Sequence, residues 1–150
     1  MCSLVLLASC AAKNHPNFTG TWQLDPKQSN FGPVPGPTQL VQIIEHHEPV
    51  LRMKSESIGF MGETSSDVEF VTDGSEKTQT IDGKPRQSRT HWEGNVLVTQ
   101  WTIANPGQPA MQMTDRRLLS EDGRTMVVDR QVHSDYDDWT QKAVFVRKTA

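Results

Sequence analysis

Asp115, Arg117 and Arg130 are charges placed where alternating strands should be apolar. Asp115 and Arg117 share a parity with Met111, Met113 and Leu119, and Arg130 shares one with Met126, Val128 and Val132. Residues two apart along a strand lie on one face. A charge among methionines and aliphatics is costly unless it is paired or meets a ligand. Three readings stay open. Asp115 pairs with Arg130 and seals one end of a packed interior. The register is slipped by one, which turns all three residues outward. Or Arg117 or Arg130 holds the carboxylate or phosphate head of an apolar ligand, because a guanidinium offers a fork of donors. Met113, Trp92 and Trp101 would then supply apolar contacts. Trp92, Trp101 and Trp139 fit either a binding surface or a core.

Nothing in the sequence spells catalysis. There is no Gly-x-Ser-x-Gly elbow, no phosphate-cradling Gly loop and no His-Glu-x-x-His. His46 and His47 are adjacent, so on a strand they point to opposite faces. Glu45-His46-His47-Glu48 reads as a solvated strand end before Pro49, or as a surface metal site. His133 with Asp135, Asp137 and Asp138 makes an acidic loop with oxygen ligands for a cation. It lacks the Gly and the ligand spacing of a calcium loop. No metal, no cofactor and no enzymatic activity are expected. The net charge is -3 with no basic block, which speaks against a nucleic-acid partner.

The elements that must position these residues read as strands. The expected strands are 19–24, 39–47, 50–57, 64–72, 77–81, 86–93, 96–105, 111–119, 125–133 and 139–148. This spacing, with turn residues between, indicates an all-β sandwich or barrel. One helical turn is expected over Pro26 to Ser29, capped by Asp25. Gly32-Pro33-Val34-Pro35-Gly36-Pro37 excludes helix and central strand and reads as a rigid loop across one end. Gly94-Asn95 reads as a two-residue hairpin turn pairing Trp92 with Leu97. Ser120-Glu121-Asp122-Gly123 reads as a four-residue loop pairing Leu119 with Arg124 and Arg117 with Met126.

Phe18-Thr19-Gly20-Thr21-Trp22-Gln23-Leu24 opens the domain. Gly-x-Trp on a first strand, followed by an antiparallel meander, resembles the lipocalin and fatty-acid-binding (calycin) superfamily. The opening, Phe31-Gly32-Pro33 and the run Leu119 to Met126 look like small lipocalin-like secreted proteins of bacteria without a settled function. The resemblance implies an antiparallel meander closing into a barrel of about 8–10 strands. It implies that Trp22 packs across the closed base under a basic residue, Arg147 or Lys148. It implies a small hydrophobic molecule or lipid as partner. The alternative is a fully packed interaction module without a ligand.

Leu7-Ala8-Ser9-Cys10 closes an uncharged apolar opening. A short apolar run ending in small residues reads as an export signal. It resembles the bacterial lipobox, which implies lipid on Cys10. No Lys or Arg precedes Lys13, so the start lies upstream of Met1 or the signal is unusually short; a buried apolar strand is the other reading. Residues 1–9 are then the signal, 10–17 the tether and 18–150 the single barrel domain. The expected location is outside the cytoplasm, at the cell envelope, tethered through Cys10. Ala11 after the cysteine favours the outer membrane by the same resemblance. Both cysteines, Cys2 and Cys10, fall in this region, so no disulfide is expected within the barrel.

Overall fold

The computed structural model describes residues 15–60 and 62–149. The readings placed on residues 1–14, Cys10 included, lie outside that range. Ten strands follow one another: β1 (Gly20–Leu24), β2 (Gln39–His47), β3 (Val50–Gly59), β4 (Gly62–Val71), β5 (Glu76–Ile81), β6 (Lys84–Glu93), β7 (Val96–Asn105), β8 (Gln108–Leu119), β9 (Thr125–His133) and β10 (Asp138–Arg147). Each strand pairs antiparallel with its sequence neighbour, except that β4 and β5 form no ladder. β1 also pairs with β10, joining Trp22 to Arg147 and Leu24 to Phe145. The result is an all-β meander curled into a nearly closed barrel, with one seam between β4 and β5.

Alternation builds the interior. Leu51, Met53, Val68, Phe70, Trp101, Met113, Met126, Val128 and Phe145 are buried in one cluster. Their neighbours in sequence, such as Arg52, Gln100, Gln112 and Asp129, are exposed. Every second residue therefore meets the core, as a one-sided antiparallel sheet requires. Asp115 and Arg117 are each only 7 % exposed, so the slipped register that would turn them outward does not occur.

The hairpins set the register. Gly94 has φ +60° at the first turn position and pairs Trp92 with Leu97, as the sequence indicates. The β8–β9 hairpin corrects the expectation. Leu119 pairs with Met126, not Arg124, and Arg117 with Val128, not Met126. The Ser120 N–H bonds the Thr125 carbonyl at 2.9 Å, and Asp122 accepts from Ser120 Oγ and the Arg124 N–H. These side-chain bonds hold a wider loop. The slip is two residues, an even number, so every side chain keeps its face.

Between β1 and β2 the chain makes one turn, with Asp25 Oδ1 accepting the Lys27 N–H at 3.0 Å, as a cap should. Asn30 then forms an isolated rung with Lys142 of β10. The Pro-rich stretch runs to the end of β3, where Pro37 lies against Gly59, and a Cβ on Gly36 would strike the Phe31 ring. That close approach requires Gly and tucks Phe31 inward.

The seam is closed by side chains. The Gln79 amide donates to the Glu69 carbonyl at 2.8 Å and accepts the Glu69 N–H at 3.0 Å. One side chain thus supplies both bonds of a missing rung. Lys77 and Arg52 pair with the Glu69 carboxylate on the same spot.

Candidate functional site: a charged interior in an apolar barrel

The base of the barrel is solid. Trp22 is fully buried, and its Nε1–H donates to the Phe18 carbonyl at 2.9 Å. Arg147, not Lys148, lies over the ring, 4.3 Å from its centre. Its guanidinium also donates to the Thr19 and Gly123 carbonyls. A Cβ on Gly20 would strike that guanidinium, which is why Gly precedes Trp22 by two.

Trp92 belongs to the same end. Its ring stacks on His15 at 4.2 Å and on Phe18 and His46 at 6.0 Å. It therefore stands among base residues, on the row of Arg117 but outside the cavity that Asp115, Arg117 and Trp101 line. His46 is 2 % exposed, so the reading of Glu45 to Glu48 as a solvated strand end is wrong for this residue. Its Nδ1 accepts the Phe18 N–H at 3.1 Å, so Nε2 carries the proton and donates to Glu48 at 2.7 Å. Burial alone would raise the Glu48 carboxyl. Hydrogen bonds from Thr72, His46 and Trp92 outweigh that and hold it below its usual value. Among the described residues, no three His, Cys, Asp or Glu side chains converge as a metal site requires. In the acidic loop, His133 pairs with Asp138 at 2.6 Å.

The charges singled out in the sequence meet deeper in the barrel. Asp115 and Arg130 face each other across β8 and β9. Arg130 grips the carboxylate with Nε at 2.7 Å and Nη2 at 2.8 Å. Trp101 Nε1 adds a third donor at 3.1 Å. Burial works against charge on Arg130, but the Asp115 carboxylate outweighs it and raises the guanidinium above its usual value. Asp115 is thus matched and hydrogen-bonded, the condition under which a buried pair is tolerated.

Arg117 is different. Its guanidinium donates to Gln42 Oε1 at 3.1 Å and to the sulfurs of Met126 and Met53. These partners are neutral, and thioether sulfur is a weak acceptor. Burial pulls the guanidinium down to about 10; Asp115 opposes this and Arg130 adds to it. It stays charged at neutral pH. The inner group of Asp115, Arg117 and Arg130 therefore carries one cation more than it carries anions.

Arg117, Asp115 and Arg130 line a cavity of about 150 Å³ with Phe31, Phe70 and Phe145 among its apolar walls. A second compartment, about 240 Å³, opens toward β3–β6 and the seam. Leu40, Gln42, Met53, Trp101 and Arg130 line both, and Met113 lines the second. Trp139 is half-buried, next to the Gly32 turn, with its indole N–H buried and unbonded.

Sequence reasoning missed Gln42, Phe31 and Arg86. Gln42 interrupts the inward series Leu40, Ile44 on β2, and that break in alternation was a usable signal. Phe31 lies in a loop without periodicity, so nothing local announced it.

No protein-family model and no curated protein matches the chain. Solved structures do match, at low identity. A structure described as "REP1-NXSQ fatty acid transporter" superposes with TM-score 0.60 at 16% identity, covering 88% of this chain and 96% of its own. Zebrafish ileal bile acid-binding protein with cholic acid gives TM-score 0.59 at 15% identity, covering 87% and 98%. Apo lipid binding protein 8 of Caenorhabditis elegans gives 0.60 at 11% identity, covering 87% and 95%. The fold is that of the fatty-acid-binding, calycin-like barrels. The likeness at these identities is one of fold.

Proposed function

We propose that this barrel is a non-enzymatic carrier that holds a small amphipathic anion, its acid head on Arg117 and its apolar part against Phe31, Phe70, Val128 and Phe145. The observation that carries this is the buried Arg117 guanidinium, whose hydrogen-bond partners among the described residues are all neutral. A carboxylate or phosphate would complete it with charge-assisted bonds. The matching structures, a fatty acid transporter and a bile acid-binding protein among them, support the same reading.

One observation favours a second reading, a packed module that acts through its surface. Each compartment is smaller than the roughly 300 Å³ at which ordinary ligand pockets begin. Against it, the two compartments share walls, and Gln42, Met53 and Arg130 are unbranched side chains able to swing aside.

The test is decanoic acid binding by calorimetry with wild type and Arg117→Met. Wild type is expected to bind, and the variant to lose roughly tenfold or more, the value of a hydrogen bond to a charged group. Unchanged affinity, or no binding by wild type, removes the carrier reading. We also propose that the barrel is exported and lipid-anchored at the envelope through Cys10; the support is Leu7-Ala8-Ser9-Cys10 and the polar stretch after it.

A further inference from the structure

The interior has a second polar end that a plain fatty tail would leave unsatisfied. On β3 the lumen-side series runs Leu51, Met53, Ser55, Ser57, and on β4 it runs Phe70, Val68, Ser66 and, exposed at the rim, Thr64. Both change from apolar to hydroxyl along the strand. These hydroxyls line the 240 Å³ compartment, together with Arg86 of β6. Ser57 and Thr64 bond each other at 2.9 Å. The Nε–H of Arg86 is buried and has no hydrogen-bond partner among the described residues. A buried donor without a partner costs free energy that a ligand oxygen would recover.

The backbone positions of the two arginines are far apart along the sheet. Arg117 pairs with Leu97 of β7, and Arg86 pairs with Ile103 of the same strand. Six residues of strand is roughly 20 Å of backbone. Between the two levels lie an apolar row, Trp101 and Met113, and, nearer Arg117, a polar row of Thr90, Thr99 and Asp115 whose groups already bond one another, Trp101 and Arg130.

We infer that the ligand is elongated and oxygenated at both ends, with an acid on Arg117 and a hydroxyl or second carboxylate on Arg86 and the Ser57–Thr64 pair. This deepens the carrier reading and rests on it. The apolar middle of such a molecule would lie against Trp101 and Met113. Methylenes against Arg86 and the hydroxyls would instead bury polar groups without compensation.

The test compares hexadecanoic acid, long enough to span the two levels, with its ω-hydroxy and α,ω-dicarboxylic counterparts by calorimetry on the full chain. Wild type is expected to bind an ω-oxygenated acid about tenfold more tightly than the plain one. Arg86→Gln is expected to bring the acids to within about twofold of each other, chiefly by weakening the ω-oxygenated ones. Ser57→Ala should reduce the preference in the same direction, and decides the matter if Arg86→Gln fails to fold. Equal binding of the acids by wild type overturns the inference and leaves the carrier reading intact. So does a preference that survives the substitutions. Failure of wild type to bind any of the acids overturns both.

Discussion

At the scale of single residues, the barrel treats its buried charges in opposite ways. Asp115 receives three donors, two from Arg130 and one from Trp101, while Arg117 receives no carboxylate. A group kept only for stability should not be left so. Arg117→Met is therefore expected to leave unfolding free energy unchanged or to raise it by about 1–3 kcal/mol, since apolar replacement of a buried charge is often stabilising. Urea denaturation checks this, and a large loss would mark Arg117 as structural. Glu48 argues the converse case. Its folded carboxyl sits below the usual value, so its contribution is present above the unfolded pKa and is lost as pH falls through the folded one. Wild type should lose more stability than Glu48→Gln between about pH 5 and pH 3. Parallel pH profiles of the two would refute the assignment.

At the scale of elements, the seam shows how one side chain replaces a strand pairing. Gln79 carries both rungs to Glu69, so Gln79→Ala should cost about 1–2 kcal/mol for two hydrogen bonds. Amide exchange at Glu69 should accelerate while exchange within β8 and β9 holds; no change at Glu69 would show that the seam does not depend on Gln79. The elements themselves were legible in the sequence. All ten strands appear within three residues of their expected ends, because alternation and turn residues are local signals. The inward set on β8 and β9 was equally readable. The β8–β9 pairing was not, because Ser120 and Asp122 widen the loop through side-chain bonds that composition does not reveal. Arg130 could be offered to Asp115 from parity, but Gln42 reaches Arg117 from 75 positions away, and no local pattern carries that distance. His46 was misread for a similar reason. Its burial comes from Phe18 and Trp92, which the curl of the sheet brings together.

At the scale of the whole molecule, the two ends of the barrel differ. Trp22, Arg147 and Trp92 fill the base, while Phe31 and the Pro-rich loop lie toward the other end. A membrane anchor before residue 15 would attach beside the base, since β1 begins there against Ile44. The proposed lipid on Cys10 predicts that the full chain partitions with membranes and that Cys10→Ser does not. Metabolic labelling with a radioactive fatty acid, followed by fractionation, reads this directly; an unlabelled wild-type chain would remove the anchor.

The register of the β8–β9 hairpin has an evolutionary corollary. A ladder that slides by an even count preserves which side chains look inward, whereas an odd count swaps lumen for solvent along the whole strand. Length changes in that hairpin that move the ladder should therefore be tolerated in twos and purged singly. Arg117 and Asp115 would keep their place through lineages whose loops differ in size, so long as each difference is a multiple of two.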